Sequence, residues 1–284
     1  MSGRRPLQVT LLILKHLKDP YYQGFAAQLA FYFILSIVPV MIVLSQILGL
    51  FSISLSALDD LINQYVSDDV TEILMDFITY KPTGAVNFAL IIVALWSASK
   101  VQFSMIRITN YTMTEGQSTG GGFFRDRLRA MKTVLFTLLT VACALIILVY
   151  GEPMVRLFLS AVNMSLSVGY EINKILLVLR WPALFTLFFL MVSYNYYVLP
   201  YIKVKFREVL PGSIFASVAM IVITYLYSLY TRYAGHFDII YGSLASAVAL
   251  MFWFFFLSWA LGLGVLVNKA WSDTKTPIEI LPHL

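Results

Sequence analysis

The sequence predicts an all-α integral membrane protein: six transmembrane helices with interfacial amphipathic helices, and both the N- and C-termini cytoplasmic. Three observations carry that expectation. Of the 284 residues 60% are hydrophobic and 12% charged, against roughly 25% charged in soluble domains, so the chain lacks the polar surface that water demands. Six continuous apolar runs approach the roughly 20 residues a helix needs to cross a hydrocarbon core, whereas a β-barrel would alternate over segments of about ten. Finally, fifteen of the 20 basic residues fall on one side of a six-span path, which the positive-inside rule makes the cytoplasmic side.

Taken in order, residues 1–24 form a cytoplasmic segment. Leu7, Leu11, Leu12, Leu14 and Leu17 alternate there with Arg4, Arg5, Lys15 and Lys18, the mixture of an amphipathic helix lying on the inner leaflet. Its apolar stretch is short and lacks a small-residue cleavage site, which argues against a cleaved signal. The transmembrane domain then covers 25–268, with spans Phe25–Phe51, Thr83–Ser99, Thr133–Tyr150, Ile175–Leu199, Val209–Tyr230 and Ile240–Val267, and residues 269–284 form a cytoplasmic tail. The second and third spans are short, so Lys100 and Lys132 are expected to reach to the interface.

Between the first two spans, apolar residues recur at helical spacing opposite Asp59, Asp60, Asp68, Asp69, Glu72 and Asp76. The plain reading is an interfacial helix with a solvated acidic face; a cation-attracting mouth is the sharper one. The segment 153–173 reads as a second external amphipathic piece. On the inside, a glycine run at 120–122 precedes a basic helix whose Arg125, Arg129 and Lys132 suit anionic lipid headgroups. That placement explains the charge of +5 without nucleic acid.

Several chemistries are disfavoured by what is missing. No GxxxxGK[ST] phosphate loop occurs, and the glycine run lacks the strand–turn–helix setting of a dinucleotide site. The three histidines, His16, His236 and His283, fall on opposite sides of the membrane and cannot share a metal. Cys143 is the single cysteine, so neither a disulfide nor a Cys/His zinc set can be assembled. No acidic pair stands within a span. The expectation is a protein that is not an enzyme and carries no cofactor or metal.

What remains is polar chemistry facing a helix bundle. Gln28, Tyr32 and Ser36 lie four residues apart and share one face of the first span, with Pro39 one turn on, a residue membrane helices tolerate when neighbours satisfy the freed backbone. Asn195 sits at the inner end of span four. Arg180, Tyr241 and Ser243 lie toward the outer ends of spans four and six, where Arg180 either suits an anionic headgroup or snorkels to the interface. Gly242, Ala245, Ser246 and Ala249 are small enough for close helix packing, within one chain or between two copies, so a homo-oligomer stays among the expected partners beside membrane lipids.

Five stretches carry a resemblance: "LAFYFILSIVPV", "LWSASK", "YNYYVLP", "REVLPGSIFASV" and "YGSLASAVALMFWFFFLSWALGLG". In this order, from about residue 20 to 270, the chain resembles the BrkB/YihY family of bacterial inner-membrane proteins, once widely labelled ribonuclease BN. The resemblance implies a multi-pass protein of the bacterial cytoplasmic (inner) membrane, linked broadly with envelope-lipid handling, solute export or resistance to host killing. One position departs from the family pattern: an acidic residue usual near the end of span six is Leu266 here, so a mechanism needing that carboxylate is in doubt. The ribonuclease label finds no positioned acid, base or metal group in these residues.

The leading functional expectation is translocation of a lipid or amphipathic solute through a polar groove. Gln28, Tyr32, Ser36 and Asn195 would bond a headgroup there, beside Pro39, with Arg180, Tyr241 and Ser243 toward the exit. The alternatives are a non-transporting envelope scaffold and an ion or osmolyte channel.

Overall fold

A computed structural model describes residues 5–50, 85–161, 182–183, 185–234 and 243–274. Among these residues α-helix is the one kind of regular secondary structure. The helices are α1 (Arg5–Leu17), α2 (Pro20–Leu50), α3 (Ala85–Met113), α4 (Phe123–Ala161), α5 (Phe185–Val198), α6 (Phe206–Ala234) and α7 (Ser243–Asp273). Four of them contain stretches long and apolar enough to cross a membrane: Pro20–Val43, Ile91–Met113, Phe206–Tyr227 and Ala247–Asp273.

Local chemistry sets the helix ends. Asp19 accepts the Tyr21 N–H at 2.9 Å and Pro20 opens α2, the pairing of an N-cap carboxylate with a proline whose missing N–H costs nothing in the first turn. At the other end of α3, Glu115 adopts φ 52° and Gly116 φ 85°, and the Gly116 N–H returns to the Tyr111 carbonyl at 2.8 Å. That left-handed turn satisfies carbonyls the helix leaves open. It also aims Glu115 at Lys269 of α7, whose ammonium bridges Glu115 Oε1 at 2.9 Å and Asp273 Oδ1 at 3.0 Å.

The bundle is built around α2 and α7. Helix α2 packs on α3, α7 and α4, α7 packs on α6, α2, α3 and α1, and α3 also packs on α4. The main core draws on six helices: Tyr22, Phe25 and Leu29 of α2, Met105, Ile106 and Ile108 of α3, Ala130 of α4, Tyr196 of α5 with Leu199 just after it, Val209 and Ala216 of α6, and Val265 and Leu266 of α7. A smaller cluster joins Val43 to Ala94 and Ala98 of α3 and Val134, Leu138 and Ala142 of α4. Ile13 and Leu17 tie α1 to the core, while Leu7, Leu11 and Leu14 stay exposed along one side of that helix. The expected amphipathic helix is therefore present, with an open apolar stripe.

Several bounds differ from the sequence expectation: α2 already opens at Pro20, α4 runs Phe123–Ala161 and α7 continues to Asp273. The largest difference concerns the second span, expected to end at Ser99 with Lys100 reaching to the interface. Helix α3 instead continues to Met113. Its extension is among the most buried parts of the protein: Gln102, Ser104, Met105, Ile106, Ile108, Thr109 and Asn110 are all buried. Hydropathy falls there because the interior is partly polar, not because the chain has left the bundle.

Where α6 crosses α7 the backbones nearly touch. A methyl group on Gly212 would collide with the Gly264 carbonyl, and one on Gly264 would lie 2.9 Å from both Ala216 Cβ and the Gly212 carbonyl oxygen. The Gly212 N–H donates to Asn268 Oδ1 at 2.6 Å. Small residues allow such an approach, and a side-chain amide then satisfies backbone across it.

The Lys269 ammonium and its hydrogen bond hold the Glu115 carboxyl below its ordinary value of 4.5. A depressed carboxylate contributes stability above its unfolded pKa, and the contribution is lost as pH falls through the lower folded value. The Glu115 side chain is 66% exposed, so the effect is small and screened by salt. We expect Glu115→Gln to melt slightly below wild type at neutral pH, with the difference closing as pH falls below the ordinary value of 4.5. Melting curves of both proteins across that range check it; a constant gap would show that the pair is not what separates them.

Candidate functional site

The polar stripe of α2 is graded in depth. Gln28 is exposed, Tyr32 half-buried and Ser36 buried, and Gln28 Nε2 donates to the Tyr32 hydroxyl over 3.4 Å. Ser36 spends its hydroxyl on its own helix, donating to the Phe33 carbonyl at 2.8 Å. Pro39, half-buried one turn further, has no N–H to give to the Leu35 carbonyl. Beside the stripe, Phe31 and Leu35 are exposed apolar side chains, so one side of α2 carries a polar strip and a greasy strip together.

Behind α2 lies a polar interior that bridges three helices. Thr137 Oγ1 of α4 accepts Gln102 Nε2 of α3 at 3.0 Å and, more loosely, Asn195 Nδ2 of α5 at 3.4 Å. The Asn195 amide also donates to the Met191 carbonyl at 2.9 Å. Among the described residues, Gln102 Oε1 and Asn195 Oδ1 are buried with no hydrogen-bond partner. Unpaired buried acceptors of this kind are uncommon and costly, and they can accept bonds from water or from a polar ligand.

Arg127 enters from α4. Its Nη2 donates to the Trp96 carbonyl at 2.7 Å, and its guanidinium carbon lies 3.9 Å from the centroid of the Trp96 ring and 5.8 Å from that of Phe103. Toward the C-terminal end of α3, Asn110 Oδ1 accepts the Tyr201 N–H at 2.8 Å. The Tyr111 hydroxyl donates to Asp19 at 2.6 Å, and Tyr22 pairs with Thr112 at 3.0 Å. Tyr21 and Tyr111 stack with ring centroids 4.0 Å apart. These groups are amides, hydroxyls and a guanidinium, and among the described residues no group of three His, Cys, Asp or Glu is placed to hold a metal ion.

Of the residues singled out from sequence, Gln28 and Tyr32 are brought together on α2, and Asn195 lies in the three-helix interior. Arg125 and Lys132 are exposed. Arg129 is half-buried and donates to the Leu199 and Pro200 carbonyls at 3.2 and 2.9 Å, closing the end of α5. Ala249 lies half-buried on α7. Arg180, Tyr241, Gly242, His236, His283 and the acidic outer segment lie outside the described residues, as do the side chains of Ser243, Ala245 and Ser246.

The sequence reading did not single out Gln102, Thr137, Asn110, Asn268 or the burial of Arg127. A signal for the first did exist. Ala94, Ala98, Val101, Met105 and Ile108 repeat at alternating steps of four and three and are all buried, so the helical stripe passes straight through Lys100. Following that period rather than the hydropathy average would have kept Gln102 inside the bundle.

The comparisons with known proteins agree with the motif resemblance. A family profile described as Virulence factor BrkB matches residues 13–280. A Bacillus subtilis (strain 168) protein named ribonuclease-like protein YfkH is 29% identical over 262 residues, covering 89% of this chain and 91% of that protein. No solved structure matches. Since the profile spans nearly the whole chain, including every helix that lines the polar interior, the chain is a membrane protein of the virulence factor BrkB family.

Proposed function

We propose that this protein translocates a lipid or amphipathic solute across the bacterial cytoplasmic membrane, without breaking a covalent bond. In this reading the chain crosses six times, with both termini and the exposed stripe of α1 at the inner leaflet. The observation that carries it is the graded polar strip of α2. Gln28, Tyr32 and Ser36 pass from exposed to buried along the apolar middle of the helix, between Gln23 and Ser45. A polar face against lipid tails is costly and is retained where it meets protein, water or substrate. An amphipathic molecule matches both strips at once, its headgroup on Gln28 and Tyr32 and its tail along Phe31 and Leu35.

The test is reconstitution of the purified chain in liposomes carrying a labelled phospholipid in both leaflets. Loss of signal to an external quencher beyond the outer-leaflet fraction is expected. Gln28→Leu combined with Tyr32→Phe removes two hydrogen-bonding groups of about 1 kcal/mol each and slows the loss roughly tenfold or more. Wild-type liposomes that keep their inner-leaflet signal would rule out unassisted translocation of that lipid. An unaffected double variant would remove the α2 strip from the path.

A further inference from the structure

Among the described residues, Arg127 is a buried cation without a counter-charge. It is 7% exposed, and its Nε is buried with no acceptor. Lys269 has carboxylate partners in Glu115 and Asp273, whereas the bond that Arg127 makes goes to a backbone carbonyl. A guanidinium offers five donors in a planar fork. Stacking on Trp96 offsets part of its desolvation, but a buried charge ordinarily has an opposite charge beside it.

Two further observations say where a ligand would sit and what it would be. Helix α2, which carries the hydrogen-bonded pair Tyr32 and Gln28, packs against both α3 and α4, the helices of Trp96 and Arg127. The polar strip and the buried cation thus belong to helices in mutual contact. The Trp96 ring that carries Arg127 is itself 46% exposed, with Val93 one turn away on α3 also exposed. A buried cation on a helix packed against the polar strip, stacked on an open aromatic side chain, fits an anionic group attached to a hydrocarbon chain.

We propose that Arg127 is the anion-holding residue of the groove and binds the phosphate of a phospholipid headgroup, with Tyr32 and Gln28 as hydrogen-bonding neighbours. This deepens the translocation reading and rests on it for the groove. The fork geometry suits two phosphate oxygens at once, which a lysine ammonium cannot match.

The experiment measures binding, so it does not depend on transport. Delipidated full-length protein in neutral detergent is titrated with phosphatidylglycerol, with diacylglycerol lacking phosphate, and with inorganic phosphate, and bound species are counted by native mass spectrometry. Wild type is expected to bind phosphatidylglycerol saturably and at least tenfold more tightly than diacylglycerol. Arg127→Gln loses that tenfold preference, Arg127→Lys recovers part of it, and Arg107→Gln, at an exposed arginine of α3, keeps it. Displacement of the lipid by millimolar inorganic phosphate would show that the cradle takes free phosphate as well; failure to displace it assigns the site to the lipid-borne group.

Should Arg127→Gln fail to fold, Tyr32→Phe and Arg127→Lys carry the same comparison. Equal binding by wild type and a folded Arg127→Gln overturns the assignment, as does an equal loss in Arg107→Gln, which would mark general surface charge. Arg127-dependent binding without translocation in liposomes would leave this site standing and remove the transport reading. Translocation with no dependence of binding on Arg127 would do the reverse.

Discussion

Gly212→Ala is expected to be the most damaging single-methyl change in the described part of the protein. The added carbon would meet the Gly264 carbonyl and approach Asn268 Cγ and Oδ1 at 2.5 Å. Backbone atoms of a packed helix cannot step aside as a side-chain tip can, so α6 and α7 must separate. Overpacking of this kind costs about 1–3 kcal/mol. Separation also breaks the bond from the Gly212 N–H to Asn268, and leaving a buried donor and acceptor unpaired adds about 1–3 kcal/mol.

The sum is about 4 kcal/mol, a fall in melting temperature on the order of 10 °C. Thermal melts in detergent, followed by size-exclusion chromatography, read it directly. Two controls share the chemistry without the crossing. A methyl at Gly24 meets nothing within 4 Å, and one at Gly262 reaches only the Phe25 ring at 3.5 Å. Gly24→Ala is expected to be neutral or stabilising by about 0.5–1 kcal/mol. Wild-type melting of Gly212→Ala would mean that α6 and α7 do not cross at these residues.

Arg129→Ala is expected to cost about 2 kcal/mol, through loss of charge-assisted bonds to the Leu199 and Pro200 carbonyls. Those carbonyls follow the end of α5, where helix groups lack partners of their own and the dipole favours a cation. Leu199 and Pro200 are both buried, so water is a poor substitute. Arg129→Lys restores only part of the loss, because one ammonium does not span both acceptors as a planar fork does. Arg125→Ala and Lys132→Ala, both exposed, stay within about 0.5 kcal/mol of wild type. Melting temperatures of the four variants separate the cases. An Arg129→Ala protein as stable as Arg125→Ala would show that the three basic residues act alike, as contacts for headgroups rather than as a cap.

These three residues show how far the sequence reached. Composition assigns each of Arg125, Arg129 and Lys132 to an inner basic helix, and helix α4 does run through all three. Their differing roles depend on which carbonyls fold back against α4, some 70 residues later in the chain. Arg127 is the sharper instance. A window of charge counts treats it like its neighbours at 125 and 129, yet it is the one turned onto Trp96 and buried. The α2 strip, by contrast, was legible because four-residue spacing alone puts Gln28, Tyr32 and Ser36 on one face.

Helix identity and apolar character were therefore properties of the sequence by itself. They are local sums: hydropathy over about 20 residues says which solvent a segment prefers, and spacing says which side chains share a face. The family was legible for the same reason, since its motifs are short contiguous strings. The tertiary structure alone decided what those faces meet: the continuation of α3 to Met113, the contact of Gly212 with Gly264, the junction of Gln102 and Asn195 at Thr137, and the burial of Arg127. Each depends on partners distant in sequence, and the stability of a polar group in a bundle depends on its partner rather than on its own hydropathy. A lysine or glutamine that ends a span by composition can lie inside it once a neighbouring helix covers the backbone and supplies the hydrogen bond.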